Sequence, residues 1–352
     1  MEQITIKEIA RMCGVGVSTV SRAINNHPDI NPETKERIME TIRRYNYVPN
    51  NSARNWKRAE SNAIAVMVKG VSNPFFGPVI QTMERKIVNK NYSFVLQQVE
   101  EDEDEVAMAA ALEKEKRLKG IIFLGGMKQR PWESLKQMPV PCVISTVSIH
   151  LPEDVENCSI VSIDDEAESY RMTDYLIKCG HRRIVIMRTA EPDAGISDKR
   201  LAGYRKALQK HGIAYDPELV VPMHSDAVYY SIENGYEVTK ELLTSDRDFT
   251  CIYAISDRMA IGAIRAVFDA GRRVPEDFSV AGFDGLDIAR YYRPSVATIA
   301  QPSEKIADET IRQLFSMIEG KEKGRKVIFP ARLLEGESVL KLEADKGDHG
   351  YY

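Results

Sequence analysis

Val17, Ser18, Ser21 and Arg22 stand at i, i+1, i+4 and i+5, a spacing that puts all four on one face of a helix. Arg22 carries a planar guanidinium fork that matches the O6/N7 edge of guanine, a contact worth about 1–3 kcal/mol of discrimination. Val17 offers apolar contact of the kind a thymine methyl accepts. A polar face of this kind, set in the front half of a helix, suits base edges in the major groove of double-stranded DNA. Arg22 is also explained as an ordinary solvated cation.

A helical face needs a helix to carry it. Thr5 and Glu8 form a T-x-x-E capping box that predicts a first helix from about Ile6, with Ile6, Ile9, Ala10 and Cys13 as its inward stripe. Gly14 ends it, because glycine accepts the left-handed backbone of a sharp turn. A second helix is predicted from about Val17 to Asn25, with Val20 and Ile24 inward and Val15 packing from the turn. Asn31 then caps a third, with Pro32 at its first position and Ile38, Ile42 and Tyr45 as its inward stripe. Three short helices around one small core make a helix-turn-helix domain over residues 1–49. Residues 50–61 follow as a hinge and linker, too short a helix to be stable alone, so its folding is expected to couple to binding. Residues 1–60 hold ten Lys/Arg and seven Asp/Glu, net +3, while the remainder is net −7. A basic head on an acidic body fits phosphate neutralisation as a source of DNA affinity.

Residues 62–342 are long enough for two α/β lobes with their own cores. Continuous apolar runs at 64–68, 94–96, 120–124, 142–145, 160–163, 184–187, 251–254 and 279–283 alternate with helical patterns. That alternation predicts doubly wound parallel sheets. Ligands of such sheets bind at the carboxyl ends of the strands. Asn73, Phe75 and Phe76 follow the first run, Asp164 the run 160–163, Ser256 and Asp257 the run 251–254, and Asp284 the run 279–283. Arg200 sits early in the helix after the run 184–187. An arginine and a carboxylate facing each other can hold adjacent hydroxyls of a sugar while an aromatic ring covers its apolar face. Structural roles compete with this one. Phe75 and Phe76 suit a core, Asp257 a helix cap and Asp164 a crossover, and Arg200 and Asp284 could pair only with each other.

The run TIKEIARMCGVGVSTVSRAIN over 5–25 resembles the heads of the LacI/GalR family of bacterial repressors, close to T-I-x-D-V-A-x-x-A-G-V-S-x-x-T-V-S-R-x-x-N. Further family signposts appear in the expected order: CGHRRI at 179–184, KRLAGY at 199–204, SDRMA at 256–260, GFD at 282–284 and ATIAQP at 297–302. The resemblance extends to about residue 342. It implies an N-terminal three-helix head plus hinge helix, then a two-lobe, periplasmic-binding-protein-like body joined by three crossovers with an effector in the cleft. The lobes are expected at about 62–161 plus 293–320 and about 162–292 plus 321–342, with 343–352 a polar tail. It also implies DNA contacts from Thr5, Val17, Ser18, Thr19, Ser21, Arg22, Asn25 and Thr34. The hinge would add Asn50, Ala53, Arg54, Trp56 and Lys57 in the minor groove. In relatives the positions of Arg200 and Asp284 hold effector, and Tyr230 matches a ring that stacks on it. Four departures stand out. Glu8 stands where the family has aspartate. Gly16 replaces a serine whose hydroxyl meets phosphate in relatives. Trp56 replaces the leucine or methionine that wedges between base pairs, and is open to packing between hinge helices instead. Ser256 stands where several sugar-responsive relatives have asparagine.

The expected function is therefore a cytoplasmic, homodimeric transcriptional regulator. It binds a near-palindromic operator under control of a small molecule, a sugar or sugar derivative. The alternatives are a global catabolite regulator that takes a phosphorylated carrier protein as corepressor, and a solute-binding protein, against which the head and the N-terminus without an export signal argue. No enzyme is expected, since no nucleophile–base pair is legible. The five cysteines are scattered and the six histidines lack ligand spacing, so no metal or other cofactor is expected. No run of 18 apolar residues predicts a membrane span, and the C-terminus lacks the leucine heptads of a tetramer.

Overall fold

The computed structural model describes residues 5–24, 27, 29–45, 62–100, 103–125, 132–189, 195–224 and 230–342. The chain divides into two compact units, 1–61 and 62–352.

The first unit holds α1 (Ile6–Met12), α2 (Val17–Ile24) and α3 (Pro32–Arg44). The Thr5 backbone N–H and hydroxyl both donate to Glu8 Oε2, at 2.7 and 2.9 Å, which fixes the start of α1. Gly14 turns the chain at φ +59°. Asn31 Oδ1 accepts from the N–H groups of Glu33 and Thr34 and so starts α3. Ile9, Ala10, Cys13, Val20, Ala23 and Ile38 are the core. Tyr45 is a correction: it is 43% exposed rather than inward. Helix α3 ends at Arg44, so residue 45 is its cap and is not carried round to the inner face. Arg44 instead lies over the Tyr45 ring at 5.9 Å.

In the second unit the first lobe is built on β1 (Ala63–Lys69), β2 (Ser93–Val99), β3 (Gly120–Leu124), β4 (Cys142–Ser145), β5 (Cys158–Ser162) and β11 (Lys326–Ile328). These form one parallel sheet in the order β11-β5-β4-β3-β1-β2. Helices α4 (Phe76–Asn89), α5 (Glu105–Lys116), α6 (Trp132–Lys136) and α12 (Ser303–Ile318) belong to it. Asp104, in the acidic run 100–105, caps α5 by accepting from Val106 and Ala107. The second lobe is a four-stranded parallel sheet, β7-β6-β8-β9, from β6 (Ile184–Arg188), β7 (Val220–Pro222), β8 (Cys251–Ala254) and β9 (Ser279–Ala281). Its helices are α7 (Asp165–Lys178), α8 (Ile196–Lys210), α9 (Ile232–Thr244), α10 (Asp257–Asp269) and the short α11 (Asp287–Tyr291). The strands β10 (Thr298–Ala300) and β12 (Arg332–Leu334) pair antiparallel.

The lobe boundaries differ from expectation at two places. Residues 297–300, expected in the first lobe, run beside 281–284 of the second. Residues 326–328 add to the first sheet, with Lys326 opposite Ile160 and Ile328 opposite Ser162, rather than belonging to the second lobe. The reason is steric and local. Helix α12 packs on the first sheet through Thr310 and Gln313, which meet Ser145 and Ser159. The chain leaving it passes so close to β5 that a Cβ at Gly324 would lie 1.9 Å from the Cys158 carbonyl oxygen.

Helices α7 and α8 bring Asp165 and Arg200 together, and their spacing depends on Gly203. A Cβ there would lie 2.2 Å from the Glu166 carbonyl oxygen and 2.7 Å from the Tyr170 nitrogen, both backbone. Beside it the Ser169 hydroxyl donates to the Arg200 carbonyl at 2.6 Å. Gly203→Ala is therefore expected to push the helices apart and destabilise the fold by about 1–3 kcal/mol, as overpacking does. Urea unfolding checks this, and an unchanged midpoint would show that the close approach is not required.

Candidate functional site

Two sets of residues were expected to act. On α2, Val20 and Ala23 are buried, which turns the opposite face outward. Val17 is 41% exposed, Ser18, Ser21 and Arg22 are exposed, and Thr19 is half-buried. The face is therefore continuous and turned outward. Thr34 is half-buried in the first turn of α3, its N–H engaged with Asn31. The Thr5 hydroxyl donates its proton to Glu8, so for any further contact it acts as an acceptor. A Cβ at Gly16 would meet nothing closer than Ser18 Oγ at 3.5 Å, so no steric need keeps a side chain out there. Asn25, Asn50, Ala53, Arg54, Trp56 and Lys57 lie outside the described residues.

The second set surrounds Arg200, only 3% exposed on α8. Its Nε and Nη2 donate to Asp165 Oδ1 at 3.1 and 2.9 Å, and its Nη1 donates to the Ile255 carbonyl at 2.5 Å. The guanidinium lies over the Phe283 ring at 3.5 Å. Asp284 Oδ1 is 3.8 Å from Arg200 Nη2 and accepts from Gln301 Nε2 at 2.8 Å. Arg200 and Asp284 thus come together as expected, but the tighter partner is Asp165, which the sequence reading missed. Asp164, expected at this site, is exposed and caps α7 by accepting from Glu166 and Ala167. The pattern Asp164-Asp165 does not reveal which carboxylate turns inward. The helix start decides it, since the cap must face the open N–H groups of the first turn.

Burial raises the Asp284 pKa to about 6, opposed by Arg200 and the Gln301 hydrogen bond. Burial also raises that of Asp165, again opposed by Arg200. The Arg200 guanidinium is disfavoured by burial, but the charges of Asp165 and Asp284 outweigh this and raise its pKa.

The remaining candidates take distinct places. Tyr230 is half-buried with φ +59°, and its N–H approaches Met223 Sδ at 3.4 Å. Ser256, rather than Asp257, caps α10, accepting from Met259 N–H at 3.3 Å. Asp257 is therefore a correction: it sits one residue inside the helix, fully buried, and reaches across to another segment. Its Oδ1 accepts from Thr298 Oγ1 at 2.6 Å and its Oδ2 from Leu286 N–H at 2.7 Å. Phe75 and Phe76 are buried, 5% and 7% exposed, in edge contact with each other at 5.6 Å. Asn73 is half-buried and caps the turn before them through Phe75 N–H. Arg258 Nη1 donates to the Ser72 carbonyl at 3.2 Å, joining the start of α10 to the loop after β1 and so one lobe to the other. Two shallow concavities of about 360 and 570 Å³ lie apart from this cluster, one beside Asp164 and Lys206, the other beside Arg205 and Tyr215. Among the described residues no group of His, Cys, Asp and Glu is placed to hold a metal ion, and no helix is long and apolar enough to cross a membrane.

Comparison with known proteins decides the family. Residues 5–50 match the profile of bacterial regulatory proteins of the lacI family, and residues 173–339 that of a periplasmic binding protein-like domain. The HTH-type transcriptional regulator MalR of Clostridium butyricum is 38% identical, across 96% of this chain and all of its own length. The chain belongs to the LacI family. Catabolite control protein A of Priestia megaterium is 29% identical, across 88% of this chain and 91% of its own. The solved structure of the transcriptional regulator CelR in complex with cellobiose is 28% identical, with a TM-score of 0.69 across 96% of this chain and all of that one. A LacI-family chain with these relatives is a DNA-binding transcriptional regulator, not an enzyme.

In this LacI-family body Asp257 ties α10 to β10, the strand that leads the chain back towards the first lobe. Burial, reinforced by the charge of Asp284, raises its pKa from 3.8 to about 8. The folded chain then holds a proton that the unfolded chain has released, so this group's contribution is complete below pH 3.8 and is lost as the pH rises towards 8. Asp257→Asn, which can still accept from Leu286 and donate to Thr298, should remove that loss. Melting curves from pH 5 to 8 are expected to show wild type losing stability relative to Asp257→Asn as pH rises. A constant difference would mean that Asp257 does not take up a proton.

Proposed function

We propose that the chain acts as a homodimeric repressor of a near-palindromic operator, released or tightened by a small carbohydrate bound between the lobes. The observation that carries this reading is the buried Arg200–Asp165–Asp284 cluster, which the second lobe builds beside the point where the chain passes into it from the first sheet. Asp165 follows the last consecutive strand of the first sheet, and Asp284 follows the last strand of the second. A molecule held there makes contacts that depend on how the lobes are set, and a ligand shifts an equilibrium only by its differential affinity for the two states. The CelR relative binds cellobiose, which supports the carbohydrate class. The exposed face of α2 supports major-groove reading by Arg22, with Val17, Ser18 and Ser21 beside it. In the hinge, Trp56 takes the part of the minor-groove wedge, since a flat indole can unstack a base step.

Arg22→Ala is expected to lower affinity for the operator to that for random duplex while leaving weak, salt-sensitive binding. Fluorescence anisotropy with both duplexes measures it, and retained discrimination would overturn the assignment of Arg22. Asp284→Ala should keep operator affinity but lose the response to carbohydrate. The same titrations separate the rival reading that the relative catabolite control protein A brings in. Operator binding indifferent to every sugar, and strengthened only by a phosphorylated carrier protein, would replace a local carbohydrate switch with a global one.

A further inference from the structure

The cluster around Arg200 has a charge balance that bears on which carbohydrates it can accept. Two buried carboxylates, Asp165 and Asp284, face one guanidinium. That guanidinium is already engaged. Three of its N–H groups are donated to Asp165 and Ile255, and its flat side is covered by Phe283. Lys199, half-buried on the preceding residue, sits among the carboxylates of Asp165, Asp164 and Glu166 and beside Lys326. Among these named groups acid outnumbers base at the centre and roughly matches it at the edge.

A second observation concerns hydrogen bonding. Among the described residues, Asp165 Oδ2 and Gln301 Oε1 are buried side-chain atoms without a hydrogen-bond partner, and both are acceptors. A buried acceptor left unpaired is costly, and a ligand that brings donors relieves the cost. The hydroxyls of a neutral sugar are such donors. A phosphate dianion brings acceptors and charge of the same sign as Asp165 and Asp284, inside a low-dielectric site where like charges repel strongly.

We propose that Asp165 is a specificity-determining residue: by occupying the fork of Arg200 and presenting a spare acceptor, it selects uncharged, hydroxyl-rich ligands and rejects their phosphorylated counterparts. This rests on the carbohydrate reading above. In the absence of Asp165 the Arg200 fork would be free for bidentate recognition of an anion, the contact that guanidinium geometry favours.

The test uses the full-length protein and isothermal titration with glucose, maltose, cellobiose and lactose, each alongside its 6- or 6′-phosphate. Wild type is expected to bind a neutral member at least 100-fold more tightly than its phosphate. Asp165→Asn, which keeps the shape but removes the charge, should narrow that ratio at least tenfold, mainly by gaining affinity for the phosphate. A merely structural role would weaken both ligands alike and leave the ratio unchanged, which would overturn the proposal. So would a wild-type protein that binds the phosphate as well as the neutral sugar, a comparison that stands even if the variant does not fold. Binding of no sugar in either form would instead sink the carbohydrate reading itself, and this inference with it.

Discussion

A guanidinium taken out of water must be compensated on all sides, and the second unit is arranged around one. Arg200 is held by Asp165 at the start of α7, by the Ile255 carbonyl after β8, by the Phe283 ring and, at longer range, by Asp284 after β9. Removing either charge from such a pair leaves the other buried and uncompensated, which is far more destabilising than the pair is stabilising. The elements that supply these partners are therefore constrained to one mutual arrangement. Gly203 belongs to the same constraint, since only a residue without a side chain lets α8 lie close enough to α7 for Arg200 to meet Asp165.

The constraint reaches the connection between the lobes through carboxylates. Asp284 is held by Gln301, one residue beyond β10, and Asp257 is held by Thr298 on β10 itself. Residues 281–284 run alongside 297–300, with Gly282 N–H donating to Ala297 and Asp284 N–H to Ile299. The polar groups at the centre are thus bonded to the segment that carries the chain back to α12 in the first lobe. A ligand that changes the hydrogen bonding of Asp284 acts directly on that segment. Arg258, which reaches the Ser72 carbonyl, adds a contact between the lobes at the start of the same helix that carries Asp257. These are the physical means by which a bound molecule can bias the setting of the lobes.

The head follows a different economy. Among the described residues its core is six buried side chains, so its stability leans on its caps: Thr5 with Glu8, and Asn31 with the first turn of α3. What the core does not use is the outward face of α2, and a helix whose inward side is fixed by Val20 and Ala23 presents Val17, Ser18, Ser21 and Arg22 without further specification. Fixing one outward face by burying the opposite one is economical for so small a domain.

The sequence by itself determined the elements and their order. Caps, glycine turns and 3.6-residue stripes act within a few residues, so α1, α2 and the start of α3 were legible, as were the apolar strands of both sheets other than the short edge strands β7 and β11 and the presence of Arg200 and Asp284 at strand or helix ends. What acts across long separations was not. That Asp165 rather than Asp164 meets Arg200, that Asp257 bonds Thr298 instead of capping α10, that Tyr45 falls outside the core and that residues 326–328 return to the first sheet were decided only in three dimensions. For Asp165, Asp257 and residues 326–328 the deciding partner lies more than thirty residues away along the chain, where no local preference reaches it. Tyr45 is set by α3 stopping at Arg44, which an apolar stripe alone does not fix.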